Sequence, residues 1–529
     1  MYAASHKKFD VIVIGGGHNG LVNAAYLAKA GKKVLLLEKR HVLGGASVTE
    51  EIFPGFKFTV FSYVVSLFRP EIIRDLNLTQ HGLMILPLES TLTPLPDGRY
   101  LYRGPDHFEN YRNIAMFSRR DADAYEDYSR EMYFMAKAVK YILGVIPPHP
   151  TSLHPKELRG LLRMAQHFLG LPAEQFNILV RLMTMSSADF LLRWFESEPL
   201  LGTLSASGII GTFLGPRSPG TAYVLLHHYM GEIDGAFRAW GFAKGGTGGI
   251  AEAIASAARS LGVHIRSSTQ VSQVIVKDGK AAGVALADGE EIYARVVVSS
   301  LDPYHTFLKL VDPNQLPPEV VADVERYIFR GSSGKVNLAL DAAPELACLS
   351  GPGAHLRGAI SISPSIDYIE KAYDDAKYGD FSRRPYIDMI IPSMIDPDMA
   401  PPGKHVMSCF VQYAPYHLSQ GSWDEKREAF GDAVVDTLAE YIPNLKDIIL
   451  HRQVLTPLDI ERTTGLSQGN IFQGELSLSQ LFFLRPAAGL AQYRTPLRNY
   501  YQCGSATHPG GGITGAPGRL AALEILKDW

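Results

Sequence analysis

The chain has 529 residues, more than one ordinary hydrophobic core accommodates, so two domains are expected. Its 46% apolar content excludes a largely disordered chain, and its formal net charge of -3 gives no reason to expect nucleic acid as a partner. Cys348, Cys409 and Cys503 lie far apart with no C-x-x-C pair, which removes zinc ribbons and argues against a dithiol redox centre; no metal is expected.

Residues Met1 to Lys8 are too short and polar for a signal peptide, so a cytoplasmic setting is expected. From Val11 to Ile14 an apolar run reads as a buried parallel strand. Gly15, Gly17 and Gly20 then form a G-x-G-x-x-G turn around Asn19, and Leu21 to Ala30 has helical apolar spacing. A second strand, Val34 to Leu37, ends on Glu38, about 20 residues after the glycines, as a dinucleotide site requires. Gly15 permits the tight turn, Gly17 lets backbone approach a pyrophosphate, and Gly20 lets the helix pack closely on the strand. Glu38 is placed to accept hydrogen bonds from a ribose diol, and its charge argues against a 2′-phosphate.

Directly after Glu38 come Lys39 and then Gly44, Gly45 and Ala46, a second glycine pair that lets backbone pass close to a planar ring or a phosphate. With GGHNGL at 16–21, RHVLGGASVTEE at 40–51 and PGFKF at 54–58, the chain resembles the flavoprotein superfamily that includes amine oxidases and phytoene desaturases. Within it the motifs are most similar to the carotenoid and phytoene desaturase branch, in the subgroup named for a pyridine nucleotide-disulfide oxidoreductase domain. The resemblance implies FAD as the cofactor and an α/β fold. That fold is a Rossmann-like FAD-binding domain joined to a mixed α+β substrate domain and a helical cap.

Short apolar runs broken by Pro94, Pro96 and Asp97-Gly98 suggest strands between about Leu83 and Gly104. Helical stretches follow at Asp121 to Ile146, beginning near Ser118, then at Lys156 to Gly170 and Ala173 to Glu196. In the second, Leu158, Leu161, Leu162, Met164, Phe168 and Leu169 stand beside Lys156, Arg159 and Arg163. Such a basic amphipathic helix suits a membrane interface, although an ordinary cap helix with its apolar face on the core is the preferred reading. The uncharged stretch from Pro199 to Pro216 carries Gly, Ser and Thr, and a spanning helix is not expected there. Small residues interleaved with large apolar ones at 200–215 and 218–231 suit the wall of a long, narrow cavity or tight helix packing. His227 and His228 are adjacent and make a poor metal pair.

The glycine-rich turn at 241–262 opens a helix that returns the chain to the nucleotide domain; with no apolar strand expected before Gly245, a second nucleotide site is not expected. Strands follow from Val263 to Val276, from Ala281 to Leu286 and from Ile292 to Ser299, the first two joined by a hairpin turn at 277–280. The family resemblance places the backbone of Val271 against the adenine. Strands at Lys335 to Leu340, Tyr386 to Ile391 and His405 to Tyr413, with a helix from Trp423 to Tyr441, resemble the substrate domain over the flavin ring. Tyr413, Tyr416 and His417 are weak cavity candidates there. Finally, Tyr500 to Glu524 reads as a strand end, Gly504, and a glycine turn with Gly512, Ile513 and Thr514 that opens a helix, aiming another helix N-terminus at the cofactor.

The expected division is 1–110, 241–310 and 461–529 as a discontinuous FAD-binding domain, 111–240 as a helical cap and 311–460 as the substrate domain. A flavin carries the redox chemistry itself, consistent with the absence of a nucleophile elbow or an H-E-x-x-H. His508 is a weak catalytic candidate as a proton relay, with a structural hydrogen bond the preferred reading. The expected activity is that of an FAD-dependent oxidoreductase acting on carbon–carbon bonds of a long apolar, isoprenoid or lipid-like small molecule by desaturation, saturation or isomerisation. An amine-oxidase-like enzyme, and a flavin fold kept for regulation or partner binding, are the alternatives. Peripheral membrane contact, a protein partner and a homo-oligomer stay open.

Overall fold

The computed structural model describes residues 9–233, 235–237 and 239–529; Met1 to Lys8, read above for a signal peptide, lie outside the described residues. Strand β1 (Phe9–Ile14), helix α1 (His18–Lys29) and strand β2 (Val34–Leu37) form the opening unit. β1 pairs in parallel with β2 on one side and with Glu291–Ser299 on the other. His264–Arg266 adds beyond β2, and Tyr500–Gln502 adds beyond Glu291–Ser299, both in parallel. The central strands, residues 11–14 of β1 and all of β2, are apolar on both faces because both faces are covered. Val11, Val13 and Leu36 pack beneath α1 together with helices Thr247–Ser260 and Ala516–Ile525, whereas Ile12, Ile14 and Leu35 face Phe307, Leu310 and Leu497.

The long strand Glu291–Ser299 also continues an antiparallel meander with Val271–Lys277 and Lys280–Leu286. Asp278 and Gly279 both take positive φ in the two-residue turn of that hairpin, the conformation an Asp-Gly pair favours. Before Gly245 the structure has a short strand, Gly241–Ala243, paired antiparallel with Ile85–Pro87. This corrects the expectation that no strand stands there. Three residues could not be distinguished from loop by pattern, and the strand's antiparallel partner makes no βαβ unit.

A second, seven-stranded sheet runs Ile449–Leu455, Ser333–Leu340, His405–Gln412, Tyr386–Ile390, Ala359–Ile362, Thr91–Pro94, Tyr100–Arg103. Its last two strands come from the stretch grouped by sequence with the nucleotide unit, 1–110. They bond instead to this sheet, with Thr91 beside Ala359. Local turn signals show that strands exist but not which distant strand completes their hydrogen bonds. Helix Trp423–Ala439 covers one face of the sheet, started by a capping box between Ser422 and Glu425.

The cap is helical. Arg119–Leu143 starts at Ser118, whose Oγ accepts from the Asp121 N–H, and stops at Gly144. Pro155–Leu169 and Ala173–Thr184 follow, and the small-residue region folds as Glu198–Ser205 and Thr221–Tyr229. Among the described residues no helix is long and apolar enough to cross a membrane. Helix Pro155–Leu169 departs from the ordinary cap helix expected. None of its residues is fully buried; Met164 and Phe168 lean on the cap core, while Leu158, Leu162 and Leu169 are 45%, 58% and 81% exposed.

Candidate functional site

The turn between β1 and α1 brings its residues together for separate reasons. A Cβ on Gly20 would sit 2.1 Å from the Gly15 carbonyl oxygen, so only glycine allows this approach of helix to strand. Gly17 differs. Its backbone is ordinary (φ -64°, ψ 165°), and the nearest atom to a Cβ there is the Cα of Gly45, 4.0 Å away. Gly17 and Gly44 form a parallel bridge, with the Gly44 N–H donating to the Gly16 carbonyl at 2.8 Å. Gly17 and Gly45 thus form the two lips of a slot, and Gly17, His18, Gly45 and Ala46 are only half-buried although their neighbours are sealed.

Glu38 directly follows β2, with a buried carboxylate held by two backbone donors, Gly16 N–H at 2.7 Å and Arg40 N–H at 2.8 Å. Beside it, the Thr269 N–H donates to the Glu38 carbonyl at 2.8 Å, which lays the segment leading to Val271 along the same edge. Lys39 turns away toward Gly465; burial of its stem lowers the ammonium from its ordinary value.

Both ends of the chain meet at the turn. The Asn19 amide donates to Ser505 Oγ at 3.0 Å, and the Asn23 amide to the Gly518 carbonyl at 3.0 Å. A Cβ on Gly518 would lie 2.2 Å from the Asn19 carbonyl oxygen. The N-termini of α1 and Ala516–Ile525 are therefore side by side, and their positive dipole ends add for an anion. Asn19 Oδ1 and His18 Nε2 are shielded from water without a partner, and burial pushes the His18 imidazole down to about 4. Such orphaned groups beside an open slot fit a bound polar ligand.

The C-terminal candidates divide. Gly504 is packed tightly against Ser300 and Gln473, so it serves close packing of the chain rather than an open surface. Gly512 and Ile513 are half-buried and both have positive φ, +105° and +56°, and the Thr514 carbonyl accepts from the Arg69 N–H at 3.1 Å. His508 is buried but borders an apolar groove, with its Nε2 3.1 Å from the Ile142 carbonyl in the last turn of Arg119–Leu143. Burial pushes its imidazole down to about 4, so at neutral pH it is an uncharged donor pinning a helix end. Tyr413 donates to the Leu214 carbonyl from a fully buried position, Tyr416 donates to Glu461, and His417 faces solvent; none of them lines the cleft or the groove described below.

A family model described as flavin containing amine oxidoreductase matches residues 197–526, and one described as an NAD(P)-binding Rossmann-like domain matches residues 13–76. The chain belongs to the flavin-containing amine oxidoreductase family. It is an FAD-dependent oxidoreductase with a Rossmann-like domain. It is 41% identical over 549 residues to pyridine nucleotide-disulfide oxidoreductase domain-containing protein 2 of Rattus norvegicus, covering 98% of this chain and 94% of the rat protein. A limonene dehydrogenase protein of Castellaniella defragrans is 27% identical, with 99% of this chain and 95% of that protein covered. Prolycopene isomerase of Daucus carota is 26% identical, with 99% and 80% covered. In fold, an oxidoreductase from Methanosarcina mazei matches with a TM-score of 0.60 at 18% identity, over 98% of this chain and 100% of that one.

Several groups of this flavoprotein's interior carry no local sequence signal. Lys335 is fully buried, and its Nζ donates to the carbonyls of Thr59 at 2.7 Å and Ser62 at 3.2 Å and to Asn337 Oδ1 at 3.1 Å. Burial pushes its ammonium down to about 7. It ties the second sheet to the segment after Gly44-Gly45, since Ser62 Oγ in turn donates to the Ala46 carbonyl at 3.2 Å. Register places Lys335, Phe410, Asp388 and Ser361 in one row across that sheet face. The next residue of the same segment, Tyr63, stacks on Phe410 at 5.5 Å and donates to Asp388 Oδ2 at 2.6 Å.

Asp388 and Ser361 of this row line a cleft of about 1130 Å³ between the cap and the second sheet, whereas Lys335 and Phe410 stay buried. Its deep walls include Tyr63, Val64, Ala206, Ile210, Trp240 and Tyr386; His107, Asp123 and Glu126 stand exposed at its mouth. A separate, mainly apolar groove of about 390 Å³, lined by Val139, Met164, Phe168, Leu179, Phe482 and also His508, opens beside the exposed leucines of Pro155–Leu169. Cys409 and Cys503 are buried free thiols pushed above the ordinary range, the first to about 12, as suits packing rather than dithiol chemistry.

Proposed function

We propose that FAD lies along the slot, with its pyrophosphate over Gly15, Gly17, Asn19 and Gly20, its ribose on Glu38, its adenine beside Val271 and its ring between Gly44–Ala46 and Gly512–Thr514. When bound, the flavin supplies hydride or electron transfer. The chain's own residues position it: two helix N-termini face the phosphates, and Lys335 holds the second sheet against the segment that follows the ring.

The substrate proposed is a long apolar, isoprenoid- or lipid-like molecule whose carbon–carbon bonds are desaturated, saturated or isomerised. The cleft carries this reading: its volume exceeds that of an ordinary small-ligand pocket, and its deep end is walled by aromatic and aliphatic groups next to the segment that bonds Ala46. The names of the limonene and prolycopene relatives favour the same chemistry. The apolar groove and the exposed Leu158, Leu162 and Leu169, beside Lys156, Arg159 and Arg163, suit collection of such a substrate from a lipid surface.

Anaerobic incubation of the FAD-loaded protein with a polyene isoprenoid tests this. Flavin bleaching, or a product of unchanged mass with a moved or isomerised double bond, is expected. Bleaching by primary amines but not by any isoprenoid would replace the reading with amine oxidation. Retained flavin with no turnover of either class would favour a regulatory or partner-binding role.

A further inference from the structure

Within the deep part of the cleft Asp388 is out of character with its surroundings. It projects from the central strand Tyr386–Ile390, among Tyr63, Tyr386, Phe410 and Ser361, where aromatic rings and hydroxyls are the rule. One oxygen, Oδ2, accepts from the Tyr63 hydroxyl. The other has no protein donor among the described residues, and no described Lys, Arg or His pairs with the carboxylate. Lys335, in the same row, is separated from it by Phe410 and is already bonded to three acceptors. A carboxylate held in an apolar setting with half its acceptor capacity open is costly unless something completes it. The side chain is only partly covered, and its open side lines the cleft.

The geometry points to Asp388 as the anchor for a hydrogen-bond-donating head group, a hydroxyl or an ammonium, on an otherwise apolar substrate. This rests on the reading that the substrate occupies the cleft. Tyr63 orients the carboxylate by holding Oδ2, which leaves Oδ1 for the ligand, and the aromatic walls take the apolar body. Asp388 thus sets which end of the molecule enters first and how far it travels.

Calorimetric titration of the FAD-loaded protein with farnesol, farnesylamine and farnesyl methyl ether tests the anchor, because the three share a chain and the ether lacks a donor. At least one donor-bearing probe is expected to bind about tenfold or more tighter than the ether, and the stronger of the two identifies the head group. In Asp388→Leu that preference disappears while ether binding remains. Asp388→Asn, which preserves shape, loses the amine preference and weakens the alcohol's, and it decides the matter if the leucine variant does not fold. Equal affinities for all three probes in the native protein, or a preference that survives both substitutions, overturns the inference. The same titration with hexanol, hexylamine and 1-methoxyhexane separates the two readings. An Asp388-dependent preference among the short probes with no gain from the longer chain leaves the anchor standing and removes the long apolar substrate.

Discussion

Replacing Gly17 by alanine separates the cofactor-binding role of the opening turn from its folding role. At φ -64° and ψ 165° alanine adopts the native backbone without strain, and its Cβ has 4.0 Å to the nearest atom. Folding of the flavin-free protein should therefore be unharmed. A glycine-to-alanine change at a compatible site stabilises by about 0.4–1 kcal/mol, which in a chain of 529 residues moves the melting temperature by about 1 °C. The added methyl group nevertheless stands in the slot facing Gly45. Overpacking of that kind costs about 1–3 kcal/mol, equivalent to a loss of about 5- to 150-fold in FAD affinity. Gly20→Ala is the contrasting control: its Cβ would fall 2.1 Å from the Gly15 carbonyl, so helix and strand must part and the flavin-free protein itself loses about 3 kcal/mol or more. The assay is FAD titration followed by flavin fluorescence, alongside thermal unfolding of the flavin-free proteins. Native FAD affinity in Gly17→Ala would refute a pyrophosphate lying over Gly17.

Arg485 is fully buried, and its guanidinium donates to the carbonyls of Phe472, Gly474, Glu475, Gln480 and Ser505, cross-linking the 472–480 loop to the C-terminal segment. Arg485→Met should cost several kcal/mol in thermal or chemical unfolding and weaken flavin retention, because about 1–3 kcal/mol attends each buried acceptor left unpaired. Burial holds His227, His228 and His508 down to about 3, 4 and 4. In the unfolded chain they take up protons below about 6.5 and in the folded chain not until about 4, so the stability they contribute is present above 6.5 and lost on acidification. The loss is about 1.4 kcal/mol per pH unit for each group, or about 4 kcal/mol together by pH ~5.5, measurable by denaturant titration. Asp388, raised to about 6 by burial, opposes this as a single group, and unchanged stability between pH ~7.5 and ~5.5 would contradict the assignment. Replacing Cys348, Cys409 and Cys503 together should leave substrate-driven flavin reduction intact, whereas its loss in a folded, flavin-loaded variant would restore a dithiol mechanism.

What could be read from sequence was what is encoded locally. The glycine turn and Glu38 fall within one βαβ unit, the Asp278-Gly279 hairpin within four residues, and the Ser422/Glu425 helix start within another four. In each the chemistry of neighbouring residues prescribes the conformation, and FAD followed from the spacing of such motifs and the family they resemble. The tertiary structure decided which sheet receives Thr91–Pro94 and Tyr100–Arg103, since any strand can pair with any exposed edge. It also decided that Tyr63 meets Asp388 across 325 residues, that Lys335 reaches back to Thr59 and Ser62, and that Arg485 gathers five carbonyls. A buried charge breaks an apolar pattern without naming its partner. The partner is selected by register and packing over the whole chain, so the cleft proposed to take the substrate became visible only in the folded molecule.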